Sequence, residues 1–402
     1  MTSFATHLEC SRCQEDFPID QIQQVCKSDG GPLLVRYDLG RVKQGMRREA
    51  LVDRPWTPWR YRELLPMSGE QHVSLGESVT PLLTAECVGA EIGIRGLRIK
   101  DEGLLPTGTF KARGAAVGVT RAGELGVRTL ALPTAGNAGA AWAAYGARAG
   151  MRVVVVMPDT TPSVIVRETS AYGADVYLVP GSIADAGAVV RRTCERSGWY
   201  DASTLREPYR IEGKKTMGFE LAEQLAWRVP DVIVYPTGGG VGLIGMWKAF
   251  AELRAIGWLD EKRPRFVAVQ AEGCAPIVKA FVEGRAESDS WTDPKTFAAG
   301  IRVPKALGDF IVLKALRESD GVAVAVSEKE IADGMEVAGS AEGMLVCPEG
   351  GAAIAGAMKL RAEGWIRESD SVVIFNTGTG LKYGESLQGA EPRRLAPGEL
   401  IE

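Results

Sequence analysis

From about residue 128 onward, short β-branched runs alternate with alanine-rich stretches at helical spacing, and that alternation leaves few architectures open. The run at 152–157 has five apolar residues in succession, so both of its faces must be covered, as in a parallel sheet with helices on each side. Strands are predicted at 129–132, 152–157, 175–179, 231–235, 265–270, 322–326 and 371–375. Helices are predicted between and after them at 137–149, 163–172, 183–197, 213–227, 243–256, 328–341 and 351–363. The pattern predicts an α/β fold built from doubly wound parallel sheets.

The first 70 residues lack this rhythm. They hold a cysteine-bearing segment, a Gly30-Gly31-Pro32 turn and a basic, aromatic stretch, and are expected to form a small appendage followed by an extended arm. Residues 284–309 carry charges and prolines without periodicity, and a loop of that length in a compact domain is commonly functional. Lys and Arg number 47 against 51 Asp and Glu, a net charge of −4 that argues against a nucleic-acid partner. The longest apolar runs fall far short of the roughly 20 residues that span a bilayer, and no membrane association is expected. The N-terminus shows no basic leader followed by an apolar core, so a cytoplasmic location is expected. Seven cysteines, an odd number spread along the chain, argue against a disulfide framework. Two histidines leave almost no material for a Ser-His-Asp triad or a multi-histidine metal site.

Three strand-end loops could converge on one ligand, since open parallel sheets bind at the carboxyl ends of their strands. The first is Pro236-Thr237-Gly238-Gly239-Gly240-Val241-Gly242 ahead of a helix. Its glycines and the free N–H groups of a helix start suit a nicotinamide-type dinucleotide, another phosphate, or merely tight packing. The second is Pro133-Thr134-Ala135-Gly136-Asn137-Ala138, which offers an amide and backbone donors to a carboxylate or an oxygen-bearing ring. The third is Asn376-Thr377-Gly378-Thr379-Gly380. A fourth piece, Pro106 to Gly114, places Lys111 in the first turn of a helix, where an ammonium is disfavoured and its pKa should fall. A partly neutral amine there can form a Schiff base with a carbonyl.

Taken in order, these motifs resemble those of the fold-type II pyridoxal-phosphate enzymes, and most of all the threonine synthases. The resemblance covers roughly residues 75–385 and includes Thr80-Pro81-Leu82, Pro106 to Gly114, Pro133 to Ala141, Tyr209 to Thr216, the glycine loop at 238–242, Pro348-Glu349-Gly350-Gly351 and Thr377 to Lys382. It implies that Lys111 carries pyridoxal 5'-phosphate, that Asn137 bonds the ring hydroxyl, that Gly238, Gly239, Gly240, Val241 and Gly242 hold the cofactor phosphate, and that Thr377 faces the pyridine nitrogen. Phosphate binding at the glycine loop thereby takes precedence over the dinucleotide. The implied reaction converts O-phospho-L-homoserine and water to L-threonine and phosphate, with Lys111 moving the protons. Thr134, Ala135, Gly136 and Ala138 are expected to hold the amino-acid substrate, with Arg113 and Lys215 as basic ligands beside Arg210 and Lys214. A homodimer is implied as well.

Two features depart from the threonine synthase pattern. Ala112 stands where an acidic residue usually follows the cofactor lysine, and the glycine loop lacks the usual asparagines, so both drift toward threonine and serine dehydratases. A dehydratase or another β-elimination or replacement enzyme, acting on an amino acid such as phosphoserine, is the alternative. A non-catalytic binding protein with an N-terminal interaction module is the remaining one. The expected organisation is a zinc-ribbon-like segment at 1–40, an arm at 41–69, a large lobe at 70–114 and 221–402, and a small lobe at 115–220. Cys10, Cys13 and Cys26 resemble part of a zinc ribbon, but a closed site needs four ligands. Packing alone is the preferred account of that knuckle; His7 or Asp29 would have to complete a zinc site.

Overall fold

The computed structural model describes residues 3–387, together with 389, 394, 395 and 397. Three short strands come first: β1 (Ala5–Cys10), β2 (Asp16–Pro18) and β3 (Leu33–Tyr37), antiparallel in the order β2-β1-β3. Next come β4 (Leu82–Thr84) and β5 (Gly96–Asp101), then β6 (Thr129–Pro133), β7 (Arg152–Pro158), β8 (Asp175–Val179) and β9 (Tyr200–Asp201), and finally β10 (Val232–Pro236), β11 (Arg265–Ala271), β12 (Val322–Val326) and β13 (Ser371–Asn376). Strands β6 to β9 form a parallel sheet in the order β8-β7-β6-β9. The larger sheet runs β12-β11-β10-β13-β5-β4, parallel except for β4, which runs against β5.

Every strand predicted from the apolar runs is present, and for most of them burial explains why; the exception is β8, at the edge of its sheet, which exposes Tyr177 and Leu178. In β7, Val153 to Pro158 are all buried, and in β10 all five residues are. Burying one such valine or isoleucine contributes about 1.5–3 kcal/mol, which outweighs the weak intrinsic preferences of the chain. The segment expected as an extended arm is instead coiled. It forms helix Leu39–Gly45 and the 3₁₀ turns Glu49–Leu51 and Pro58–Leu64, and it buries Trp59, Tyr61, Leu64 and Leu65 against the body. Its prolines and aromatics pin turns and fill the core there.

Helix Lys111–Glu124 packs against helices Ala138–Arg148 and Arg210–Gln224 and crosses the latter at very short range. A Cβ at Gly213 would sit 2.0 Å from the Arg113 carbonyl oxygen, so only glycine permits the crossing. That contact sets where the helix carrying Lys111 begins. No helix among the described residues is long and apolar enough to cross a membrane.

Candidate functional site

A cavity of about 530 Å³ opens where the loops after β6, β10 and β13 meet, with the 299–309 segment along one wall. Pro106 to Gly108 make a tight turn with Thr107 at φ +63° and Gly108 at φ +65°, and the helix starts at Lys111 directly after it. Lys111 Nζ lies 4.2 Å from the centre of the Phe110 ring, walled in by protein yet open to the cavity, and makes no ion pair among the described residues. Burial pulls the amine down to about 8 from the ordinary 10.5, against the opposing charge of Glu349 and with a smaller push from Arg210. The sequence argument attributed such a drop to the helix terminus; desolvation is the larger cause. Lys214 stacks on the same ring at 4.1 Å and donates to the Phe110 carbonyl, with its own pKa driven well down by burial and by the charge of Lys111.

Thr134, Ala135, Gly136, Asn137 and Ala138 all line the cavity. The Thr134 hydroxyl accepts from Gly136 N at 3.0 Å and curls the loop toward helix Ala138–Arg148, whose first turn leaves N–H groups without intrahelical partners. Asn137 Nδ2 donates to the Tyr383 hydroxyl at 2.8 Å, while its Oδ1 is buried with no partner. An orphaned buried acceptor costs about 1–3 kcal/mol, so a ligand donor is the natural complement.

The glycine loop joins β10 to helix Val241–Ala255, and Gly240 sits at φ +74° as its N-cap. Added Cβ atoms show what each glycine does. At Gly238 one would fall 2.6 Å from the Gly300 oxygen, at Gly240 2.2 Å from Val312 Cγ2, and at Gly242 1.9 Å from the Tyr235 hydroxyl. Gly239 would meet only Thr204 Cγ2, at 3.4 Å. The loop is drawn tight by its own packing and leaves a helix N-terminus facing the cavity, a suitable seat for a phosphate.

Thr377 closes the opposite side. Its carbonyl accepts from Phe110 N at 3.0 Å, and its hydroxyl lies 3.6 Å from the Cys347 thiol. Cys347 and Glu349, at the start of helix Pro348–Ala362, both line the cavity, and Glu349 accepts from Gly300 N at 2.6 Å. The sequence reading quoted the Pro348-Glu349-Gly350-Gly351 motif without assigning Glu349 a role. Arg12, Lys305 and Asp309 also line the cavity and were not named: the partner of Arg12 is Glu287, 275 residues away, while Lys305 and Asp309 pair within the 284–309 segment that the sequence marked only as a whole.

Two expected substrate ligands lie elsewhere. Arg113 does not reach the cavity: it is fully buried, bonded to Glu102 at 2.5 Å and Glu220 at 2.6 Å, with further bonds to Thr80 and Thr216. Lys215 is likewise turned away, paired with Glu212 at 2.6 Å and Glu252 at 2.8 Å. Both charges are spent on internal partners and cannot also bind substrate. Arg210 and Lys214 do line the cavity, although Arg210 is held by Glu207 at 2.5 Å. Far from these loops in sequence, Cys10, Cys13 and Cys26 come together with Asp29, whereas His7 pairs with Asp16 at 3.3 Å.

Residues 73–378 match the family model described as pyridoxal-phosphate dependent enzyme. The chain is 36% identical over 375 residues to the threonine synthase of Methanocaldococcus jannaschii, spanning 93% of this chain and 92% of that protein. It is 38% identical over 377 residues to the threonine synthase of Methanosarcina acetivorans, spanning 94% and 92%. Among solved structures, maize serine racemase superposes with a TM-score of 0.66 at 23% identity, over 76% of this chain and 89% of that one, which attests the shared fold.

Proposed function

Starting from the fact that the chain belongs to the pyridoxal-phosphate dependent enzyme family, we propose that it is a threonine synthase and that the 530 Å³ cavity is where O-phospho-L-homoserine and water become L-threonine and phosphate. The observation that carries this reading is Lys111: an unpaired amine lowered to about 8, set between a helix-terminal glycine loop and an Asn137 oxygen without a partner.

These residues fit pyridoxal phosphate. The Lys111 amine would bear the cofactor, Gly238 to Gly242 would take its phosphate, Asn137 its ring hydroxyl and Thr377 its pyridine nitrogen. When bound, the cofactor supplies an electron sink for charge that develops beside the substrate amine. The protein supplies everything else. Thr134 to Ala138 hold the substrate carboxylate against the first turn of their helix, fixing which bonds face Lys111. Lys111 Nζ, once free, takes the proton from Cα and serves the neighbouring carbons in turn, since a mobile amine with a pKa near neutrality can both accept and give. Glu349 tunes that amine through its charge. The apolar side of Phe110 and the 299–309 wall limit water around it.

Threonine-specific chemistry is tested by incubating the purified, pyridoxal phosphate-loaded protein with O-phosphohomoserine. Phosphate and threonine should appear in equal amounts. Formation of a 2-oxo acid and ammonia from threonine or serine, without phosphate release, would move the enzyme to the dehydratases. We further place it in the cytoplasm as a homodimer. All seven cysteines are free, which fits a reducing compartment; the dimer rests on the family resemblance.

A further inference from the structure

We infer that Cys10, Cys13, Cys26 and Asp29 form a zinc site, and that this site holds Arg12 at the rim of the cavity. The four donors come from two segments of equal spacing, Cys10-x-x-Cys13 and Cys26-x-x-Asp29, and their ligand atoms all lie within 4.8 Å of one another. Tetrahedral zinc with Zn–S bonds of about 2.3 Å places its ligand atoms roughly 3.8 Å apart, and somewhat closer where one is oxygen. Cys13 and Cys26 Sγ are 3.6 Å apart, and Cys10 Sγ is 3.3 Å from Asp29 Oδ1. Two of the donor pairs therefore already stand at the separations that one ion requires, and the remaining pairs, all within 4.8 Å, need to close by at most about 1 Å.

The backbone around them is arranged in the same way twice. Arg12 N donates to Cys10 Sγ at 3.4 Å, and Ser28 N donates to Cys26 Sγ at 3.4 Å, so each segment bends its second N–H onto its leading sulfur. Gly31 N does likewise to Asp29 Oδ1 at 2.8 Å. Such donors stabilise thiolate and carboxylate charge, which is the form that binds metal. The sheet beneath has a small core of its own, Leu8, Cys10, Phe17, Cys26, Leu33 and Val35, closed by Tyr209 from the body. Segments with so small a core are commonly stapled by a metal or a disulfide. Three thiols lose their protons to solvent on binding, and soft sulfur donors in a closed tetrahedral set favour zinc over calcium or magnesium.

Arg12 lies inside the first knuckle, between two of the ligands. Its guanidinium stacks on Phe310 at 4.0 Å, pairs with Glu287 and lines the cavity. Fixing the knuckle fixes this arginine against the 284–310 segment. Loss of the ion should loosen the rim while leaving the distant glycine loop and Lys111 in place. Only this second consequence depends on the proposed active site; the metal itself does not.

The experiment uses the full-length, pyridoxal phosphate-loaded protein purified with a thiol reductant. Mass spectrometry of the metals should find about one zinc per chain. Cobalt exchanged into the site should give visible bands with thiolate charge transfer. Asp29→Ala should weaken zinc by at least about tenfold in competition with a chromogenic chelator, with near-native circular dichroism. Stripping the zinc, and separately Arg12→Ala, should raise KM for the substrate several-fold with the cofactor band unchanged. Absence of zinc and of a cobalt–thiolate band, iron in its place, or a Cys13–Cys26 disulfide in the purified protein would overturn the zinc site. Bound zinc whose removal leaves KM unaltered would overturn the link to Arg12.

Discussion

Lys111 and Arg113 stand two residues apart on one helix and have opposite electrostatic surroundings. Arg113 points into a dry network in which Glu102, Glu220, Lys100 and Thr80 satisfy one another, with every charged member fully buried. Lys111 faces the cavity with no ion pair among the described residues and an amine whose charge is penalised by burial. The neighbouring carboxylates hold the Arg113 guanidinium charged more firmly than usual. A buried charge that is fully paired supports structure, whereas one left unpaired at the edge of a cavity is available for chemistry. Helix geometry makes the division: positions i and i+2 lie on different faces, so adjacent motif residues serve unrelated purposes.

The comparison breaks most sharply under substitution of its two members. Lys111→Ala should lower turnover by roughly 10³-fold or more and abolish the visible cofactor band, while the unfolding midpoint in denaturant stays near that of the parent. A variant that kept the band would show that another amine, with Lys214 the nearest candidate, carries the cofactor. Arg113→Ala should do the reverse. It leaves Glu102 and Glu220 buried without their main partner, at a cost of about 3–5 kcal/mol in equilibrium unfolding. The fraction that remains folded should turn over substrate at close to the parental rate, provided the start of the helix is held by the turn at Pro106 to Gly108. A selective rise in KM with unchanged stability would instead return Arg113 to the substrate.

This contrast also explains what could be read in advance. The parallel strands were legible because continuous apolar runs have only one comfortable place in such a fold, and the loops after β6, β10 and β13 followed from their glycines and position. Strand β5, paired on both sides, was not, because Gly96–Asp101 carries Arg98 and Lys100. Lys100 tolerates full burial through Glu220, 120 positions away, with the Thr80 carbonyl and the Gln224 side chain taking its other protons. The same blindness put Arg113 and Lys215 among the substrate ligands: a basic residue inside a functional motif looks alike whether its partner is a ligand or a distant glutamate. Asp29 had been visible as one of two candidates by its spacing from Cys26, and geometry favours it over His7, which strand β1 turns toward Asp16. Arg12 could not have been placed at all, since its partner Glu287 is 275 residues away.

The smallest expected effect probes the unpaired side of the comparison through pH. An amine loses its proton as pH rises, and only the neutral form attacks a carbonyl. With a pKa near 8, the fraction of Lys111 that is neutral at pH 7 is about a tenth, against roughly one part in three thousand for an ordinary lysine at 10.5. Uptake of pyridoxal phosphate by the cofactor-free protein, followed by absorbance, should therefore accelerate about fivefold from pH 7 to pH 8 and level off above it. A rate still climbing tenfold per unit at pH 9 would mean an unperturbed amine and would remove the distinction drawn from Arg113. Glu349→Gln sharpens the result. Burial, which lowers the pKa, would remain, while the carboxylate charge that partly offsets it would be gone, so the plateau should begin at lower pH. An unmoved plateau would show that the cavity wall, and not Glu349, sets the charge on Lys111, and a shift toward higher pH would overturn the sign given to Glu349.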